Sequence, residues 1–147
     1  MSYQQILYEI DGPVATVTLN RPTRMNALTK VMEAELRSAI EAAGRGGSVR
    51  AIVLVGAGKA FCAGMDMDEL EVLPPEDIRA EQWMRPYDMN RPADYQTRYS
   101  YFPATPKPII SAVNGAAAGL GLIMALYAIS GSRRRQPSLP RPSRSAG

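Results

Sequence analysis

Twice in this sequence a short apolar run breaks on a cluster of glycine and alanine and restarts at once as a helix. That repeat confines the chain to strand–turn–helix units. The first copy runs from Ala51 to Val55, through Gly56-Ala57-Gly58-Lys59-Ala60-Phe61-Cys62-Ala63-Gly64-Met65, to Asp66, Asp68 and Glu69. The second is Ile109-Ile110-Ser111-Ala112-Val113, then Asn114-Gly115-Ala116-Ala117-Ala118-Gly119-Leu120-Gly121, then the apolar run Leu122 to Tyr127. The run Ala51–Val55 lacks alternation, which suits a strand buried on both faces. Ala63-Gly64 lets the backbone turn tightly with no bulky side chain in the way. Acids immediately after such a turn suit the positive end of a helix dipole. Each unit leaves one backbone amide unpaired at a helix start, that of Met65 in the first and that of Leu120 in the second. Such an amide can bind an anion, and two converging on one point make a two-donor oxyanion hole. The plainer reading of either copy alone is an ordinary strand-to-helix connection.

The chain ahead of these units is regular. Leu7–Ile10 and Val14–Leu19 read as strands joined by the turn Asp11-Gly12-Pro13. Ala15, Val17 and Leu19 alternate with Val14, Thr16 and Thr18, so one face is apolar. After the loop Thr23–Asn26, a helix capped by Thr29 or Asn26 carries Met32, Leu36, Ala39, Ile40 and Ala43 at helical spacing. Glu33, Glu35, Arg37 and Glu41 lie mostly on its other face, and Gly44, Gly46 and Gly47 end it. Between Pro74 and Pro108 lie two candidate helices, Glu76–Arg85 and Tyr95–Phe102, with most of the aromatic residues. This stretch reads either as a lid over an apolar ligand or as surface helices packed by their aromatics.

Composition removes several function classes. A chain of 147 residues is one domain by length, and 46% hydrophobic residues can build its core. Histidine is absent, which removes Ser-His-Asp and Cys-His catalysis and argues against a zinc site. Cys62 is the single cysteine, so no internal disulfide forms, and a reducing cytoplasm is expected. No apolar span is long enough for a membrane helix, and Met1–Gln5 does not read as the start of a signal peptide. Gly56-Ala57-Gly58-Lys59 is not a phosphate loop, because no Ser or Thr follows the lysine and the glycine spacing is wrong. The net charge is +3, but residues 132–147 hold five arginines and no acid, so the rest is net acidic.

Three stretches together carry a family resemblance. The opening Thr18-Leu19-Asn20-Arg21-Pro22 through Asn26-Ala27-Leu28-Thr29, the turn at Cys62–Met65 and the turn at Asn114–Gly121 resemble, in order, the signatures of the crotonase (enoyl-CoA hydratase/isomerase) family. The likeness covers about residues 5–127. It implies an α/β fold, a spiral of ββα units, here the N-terminal portion. It implies that the amides of Met65 and Leu120 hold the thioester carbonyl of an acyl-CoA. Substrate-binding positions carried over are Arg24, Met25, Ala27, Lys59, Ala63, Gly64, Asp66 and Gly119. By the resemblance the backbone around Arg24 and Met25 is expected to line the CoA channel, and Lys59, as a mobile point charge, to approach the CoA phosphates. The blander readings are a solvated loop charge for Arg24 and an exposed amine for Lys59. The resemblance implies no metal and no cofactor besides the coenzyme A of the substrate, no specific nucleic acid and no membrane partner, and a homotrimer or hexamer.

A hydratase of this family uses two glutamates to activate water and protonate the α carbon. The first falls three residues after the second oxyanion position, where this sequence has Ile123, and the second falls near Ser143. Weak or absent hydration is therefore expected, with a non-catalytic CoA-thioester binder as the alternative. Asp66, Asp68 and Glu69 read as helix-start residues. Residues 1–131 form the expected domain. Residues 132–147, rich in Arg, Pro and Ser, are expected to be disordered. A basic tail binds nucleic acid or anionic lipid nonspecifically. The preferred reading is a frameshift product, with the native chain running on past Tyr127.

Overall fold

The computed structural model describes residues 2–71 and 98–131. The candidate helix Glu76–Arg85, the start of the one at Tyr95 and the tail 132–147 lie outside the described residues.

A five-stranded mixed sheet carries the fold, in the order β1-β2-β3-β5-β7. Strands β1 (Ile6–Asp11) and β2 (Val14–Leu19) form an antiparallel hairpin, and Gly12 turns it at a φ of +53°. The remaining pairings, β2 with β3 (Ala51–Gly56), β3 with β5 (Ile109–Ala112) and β5 with β7 (Ile129–Gly131), are parallel. Parallel neighbours need a crossover, and helix α1 (Lys30–Arg45) supplies it between β2 and β3. A second, two-stranded parallel sheet pairs β4 (Ala60–Cys62) with β6 (Ala116–Ala117). Each of these follows a strand of the main sheet and precedes a helix: α2 (Met67–Glu71) after β4, α4 (Leu120–Tyr127) after β6. The short helix α3 (Tyr101–Ala104) lies between the two units.

The core sits between the main sheet and α1. Ala15, Val17 and Leu19 face it from β2, and Ile52 and Leu54 from β3, all fully buried. Met32, Leu36, Ala39, Ile40 and Ala43 meet them from α1, the face that the helical spacing selects. Burying a Leu, Ile or Met contributes roughly 1.5–3 kcal/mol. Thr29, not Asn26, caps this helix: its side chain accepts from the Met32 amide at 3.0 Å. The expectation that β3 is buried on both faces is corrected in part, because Ala51, Val53 and Val55 are only half-buried. Tyr99 and Phe102 are core residues, packed ring to ring at 5.8 Å, with Tyr127 of α4 6.2 Å from Tyr99. Of the two readings of this stretch, packing by its aromatics is the one that Tyr99 and Phe102 follow.

Candidate functional site

The two glycine-rich turns lie against each other, and the contact tolerates no side chain. A Cβ on Gly115 would lie 1.9 Å from the Lys59 carbonyl oxygen, and one on Gly121 would lie 2.3 Å from that of Cys62. A Cβ on Gly56 would meet the Ala60 oxygen at 2.3 Å. Gly64 takes a φ of +100°, and its Cβ position is 3.0 Å from the Ala118 oxygen and 3.6 Å from the Leu120 nitrogen. Gly119, at a φ of +50°, faces the Gly64 Cα. The turn before Met65 and the turn before Leu120 are thus neighbours across about one van der Waals layer.

The orientation of both amides follows from peptide planarity. In a trans peptide, C=O and the following N–H point in opposite directions. The Gly64 carbonyl accepts from the Leu28 amide at 2.7 Å, and the Asp66 amide donates to the Leu28 carbonyl at 2.9 Å. The Met65 N–H therefore points away from Leu28. The Gly119 carbonyl accepts from Ile123 at 3.1 Å along α4, so the Leu120 N–H points out of that helix's N-terminus. Among the described residues neither amide donates a hydrogen bond. Met65 and Leu120 are both half-buried.

Two asparagines brace the first turn. The Asn26 amide group, fully buried, donates to the carbonyls of Ala57 and Ala60, at 2.9 Å each. The Asn114 side chain accepts from the Gly56 amide at 3.1 Å and donates to the Gly56 and Gly58 carbonyls at 2.8 and 3.0 Å. Met25 and Asn26 are consecutive non-glycine residues at positive φ, 50° and 56°. The Met25 carbonyl accepts from Ala63 at 3.0 Å, which aligns the 25–28 and 63–66 segments.

Asp66 is 3% exposed, and both its oxygens are used. Oδ2 pairs with Arg21 at 2.8 Å, while Oδ1 meets Arg24 and the Asp68 amide, each at 3.1 Å. The last contact caps α2. Burial alone would push this carboxyl up; the bonds from Arg21, Arg24 and Asp68 outweigh it and hold it below the usual range. Arg24, 46% exposed, is the solvated loop charge of the blander sequence reading, and it also pairs with Asp68. Lys59 is exposed at the turn; Ala63 is half-buried and Ala27 buried beside it. The structure thus sets Gly64 beside Gly119 and the Leu120 nitrogen, with Met25 bonded to Ala63 and Arg24 to Asp66 on the Met65 side of that seam.

Arg21, Asn26 and Asn114 escaped the sequence reading as functional-site residues. A loop with two consecutive left-handed residues leaves no periodic signal. A second cluster was also missed: Glu33 bonds Arg98 and accepts from the Tyr99 hydroxyl at 3.1 Å, and Arg98 reaches the Met65 sulfur at 3.8 Å. Burial pushes the Glu33 carboxyl up, against the lowering effect of Arg98 and Tyr99. Burial first, then Glu33, pushes Tyr99 far above the usual phenol range. Ile123 stands on α4, 43% exposed.

An open mixed sheet with flanking helices and paired glycine turns defines an α/β protein of the crotonase-like spiral class. The sequence profile described as enoyl-CoA hydratase/isomerase matches residues 9–129. A probable enoyl-CoA hydratase of Rhodobacter capsulatus is 41% identical over 128 residues, which cover 87% of this chain and 45% of that protein. The 1,2-epoxyphenylacetyl-CoA isomerase of Escherichia coli is 36% identical over 121 residues, covering 82% and 44% respectively. Among solved structures, an enoyl-CoA hydratase/carnithine racemase from Magnetospirillum magneticum superposes with a TM-score of 0.72 at 35% identity, over 89% of this chain and 47% of that one. An enoyl-CoA hydratase/isomerase from Xanthobacter autotrophicus Py2 gives 0.70 at 31%, over 89% and 46%. This chain belongs to the enoyl-CoA hydratase/isomerase family. It spans about 45% of the length of the relatives it matches. No helix among the described residues is long and apolar enough to cross a membrane.

Proposed function

We propose that this chain binds an acyl-CoA thioester, with the carbonyl oxygen received between the N–H groups of Met65 and Leu120. The observation that carries the reading is the orientation of those two amides, each without a partner among the described residues, on turns packed against each other. The backbone of Arg24, Met25 and Ala27, with Ala63, Gly64 and Gly119, forms the channel wall. Lys59, exposed at its mouth, meets the CoA phosphates as a mobile point charge. Asp66 serves by holding the wall. Two such donors polarise a thioester carbonyl and stabilise an enolate, each worth about 3–4 kcal/mol in the transition state.

Hydration also needs an acid and a base. Ile123 stands one turn beyond Leu120, where the family resemblance puts a glutamate, and an alkyl chain transfers no proton. The second position, near Ser143, lies outside the described residues. Hydration of a 2-enoyl-CoA is therefore slow, and thioester binding without turnover is the alternative activity. A trimeric or hexameric assembly is part of the proposal, taken from the family resemblance alone, and the single buried thiol suits a reducing cytoplasm. Calorimetric titration with crotonyl-CoA and with free CoA, beside a hydration assay, tests the reading. The thioester should bind more tightly than CoA, with hydration slower than that of a family hydratase by about 10²–10⁴-fold. Equal affinity for thioester and free CoA removes the carbonyl site; hydration at the rate of a full-length hydratase removes the argument from Ile123.

A further inference from the structure

We propose that Arg21 is a positioning residue that strengthens the Met65 amide as a hydrogen-bond donor, acting through two intervening peptide groups. The inference rests on the carbonyl site proposed above. Arg21 Nη1 donates to the Ala27 carbonyl oxygen at 2.6 Å. The other end of that peptide is the Leu28 N–H, which donates to the Gly64 carbonyl at 2.7 Å. The other end of that second peptide is the Met65 N–H. A guanidinium, two aligned peptides and an open donor thus form one unbroken chain. A cation at the head of such a chain draws electron density toward itself through each peptide in turn, leaving the last N–H more positive.

The head of the chain is fixed. The Arg21 amide donates to Asn26 Oδ1 at 2.9 Å, and the Arg21 carbonyl accepts from the Asn26 amide at 2.9 Å. The guanidinium is 21% exposed and pairs with Asp66 at 2.8 Å. Asp66 directly follows the donor, so its carboxylate would oppose a developing negative charge nearby. Arg21 and Arg24 offset that charge. Among the described residues the Leu120 donor has no such chain: its peptide carbonyl accepts from Ile123 within α4. The two donors of the site are therefore primed by different means, one by a side-chain cation and one by a helix terminus.

A structural brace and an electrostatic relay are separated by comparing neutral and charged residues at 21. The variants are Arg21→Gln, a shorter neutral donor, Arg21→Met, with no donor, and Arg21→Lys, which keeps a cation. The first readout is the Met65 amide nitrogen and proton resonance in the ligand-free chain. The second is the red shift of dimethylaminocinnamoyl-CoA on binding, which reports polarisation of its thioester carbonyl. Arg21→Gln and Arg21→Met should move both Met65 resonances upfield and cut the red shift by about a third, on the scale of 10–30% per bond in a cooperative chain. Arg21→Lys should retain most of both signals, and affinity for free CoA should stay within about threefold for every folded variant, less than 1 kcal/mol. If Arg21→Met does not fold, Arg21→Gln carries the comparison, and if neither folds, Arg21→Lys against the native chain does. Folded neutral variants with unchanged Met65 resonances and unchanged red shift overturn the relay, as does a lysine variant that loses both. A native chain that binds the probe with no red shift overturns the carbonyl site instead, while the ligand-free resonances still decide the relay.

Discussion

Asp66, buried, and Glu33, half-buried, are carboxyls displaced to opposite sides of their ordinary range. Burial raises both, but at Asp66 the bonds from Arg21, Arg24 and the Asp68 amide prevail and the net shift is downward. At Glu33 burial prevails over Arg98 and Tyr99, and Glu69 adds to it. The signs are opposite in folding. The depressed Asp66 contributes stability above its unfolded pKa of about 3.9, and that contribution is lost as pH falls through the lower native value. Glu33 takes up its proton more readily when folded, so stability rises as pH falls from above its native pKa toward the unfolded value of about 4.3. Urea unfolding from neutrality into acid should show a gain followed by a loss. Glu33→Gln should flatten the gain, and Asp66→Asn the loss; a Glu33→Gln curve parallel to the native one throughout would contradict the assignment. The ion pairs of neither carboxyl are legible in the sequence, although Asp66 does stand at the helix start as read, capping α2. Helical spacing put Glu33 on the polar face of α1, but its partners Arg98 and Tyr99 arrive from a distant segment. Asp66 was carried over as a substrate-binding position, while its acidity also marked a helix start; its two arginines sit in a loop far upstream.

Elements with a period longer than a turn were read directly. The five buried positions of α1 are those its spacing selects, because one apolar stripe has only one way to meet a sheet. Its ends are held as firmly as its face. Thr29 caps the first turn, Glu69 accepts from the Lys30 amide at 2.8 Å, and Lys107 donates to the carbonyls of Ala43 and Gly46. Thr29→Ala should cost about 1 kcal/mol, with Thr29→Ser recovering most of it. Denaturant midpoints at constant m-value check this; an alanine variant as stable as the native chain would mean the cap is carried by Glu69 alone. Strands β4 and β6 were not legible, being three and two residues long. They exist because Gly115 and Gly121 let two backbones touch, and that contact is made between residues more than fifty positions apart. A run of glycine and alanine announces a turn in the sequence; its pairing with another such run does not appear there.

At the scale of the molecule, the order of strand, turn and helix was legible and the placement of surface was only half so. Apolar surface is open on α4, where Leu122, Ile123 and Leu126 are all exposed. On β3, Ile52 and Leu54 are fully buried beneath α1 and only the opposite face is half-open. The parallel neighbours β2 and β5 flank that strand from both sides. Periodicity cannot distinguish a central strand covered on one face from one covered on two. The return of the chain as β7, beside β5, also went unread, since its three residues carry no alternation of their own.

The closeness of Gly121 to Cys62 turns the single thiol into a clock for the seam. A Cβ at 121 would lie 2.7 Å from that of Cys62, and the cysteine is fully buried, its thiol pushed up chiefly by burial. With Cys62 fully buried beside Gly121, an alkylating reagent should reach the sulfur only when α4 parts from β4, locally or in unfolding. Each labelling event therefore counts one parting of the two turns, and the rate relative to unfolded chain gives the free energy of that parting. Iodoacetamide should label Cys62 far more slowly than the thiol of unfolded chain. On the proposed reading, an acyl-CoA thioester bridging the two turns should slow the labelling further. Labelling as fast as in denaturant would mean that the turns part freely. The same residue that forms no disulfide thus keeps time on how long the two halves of the site stay together.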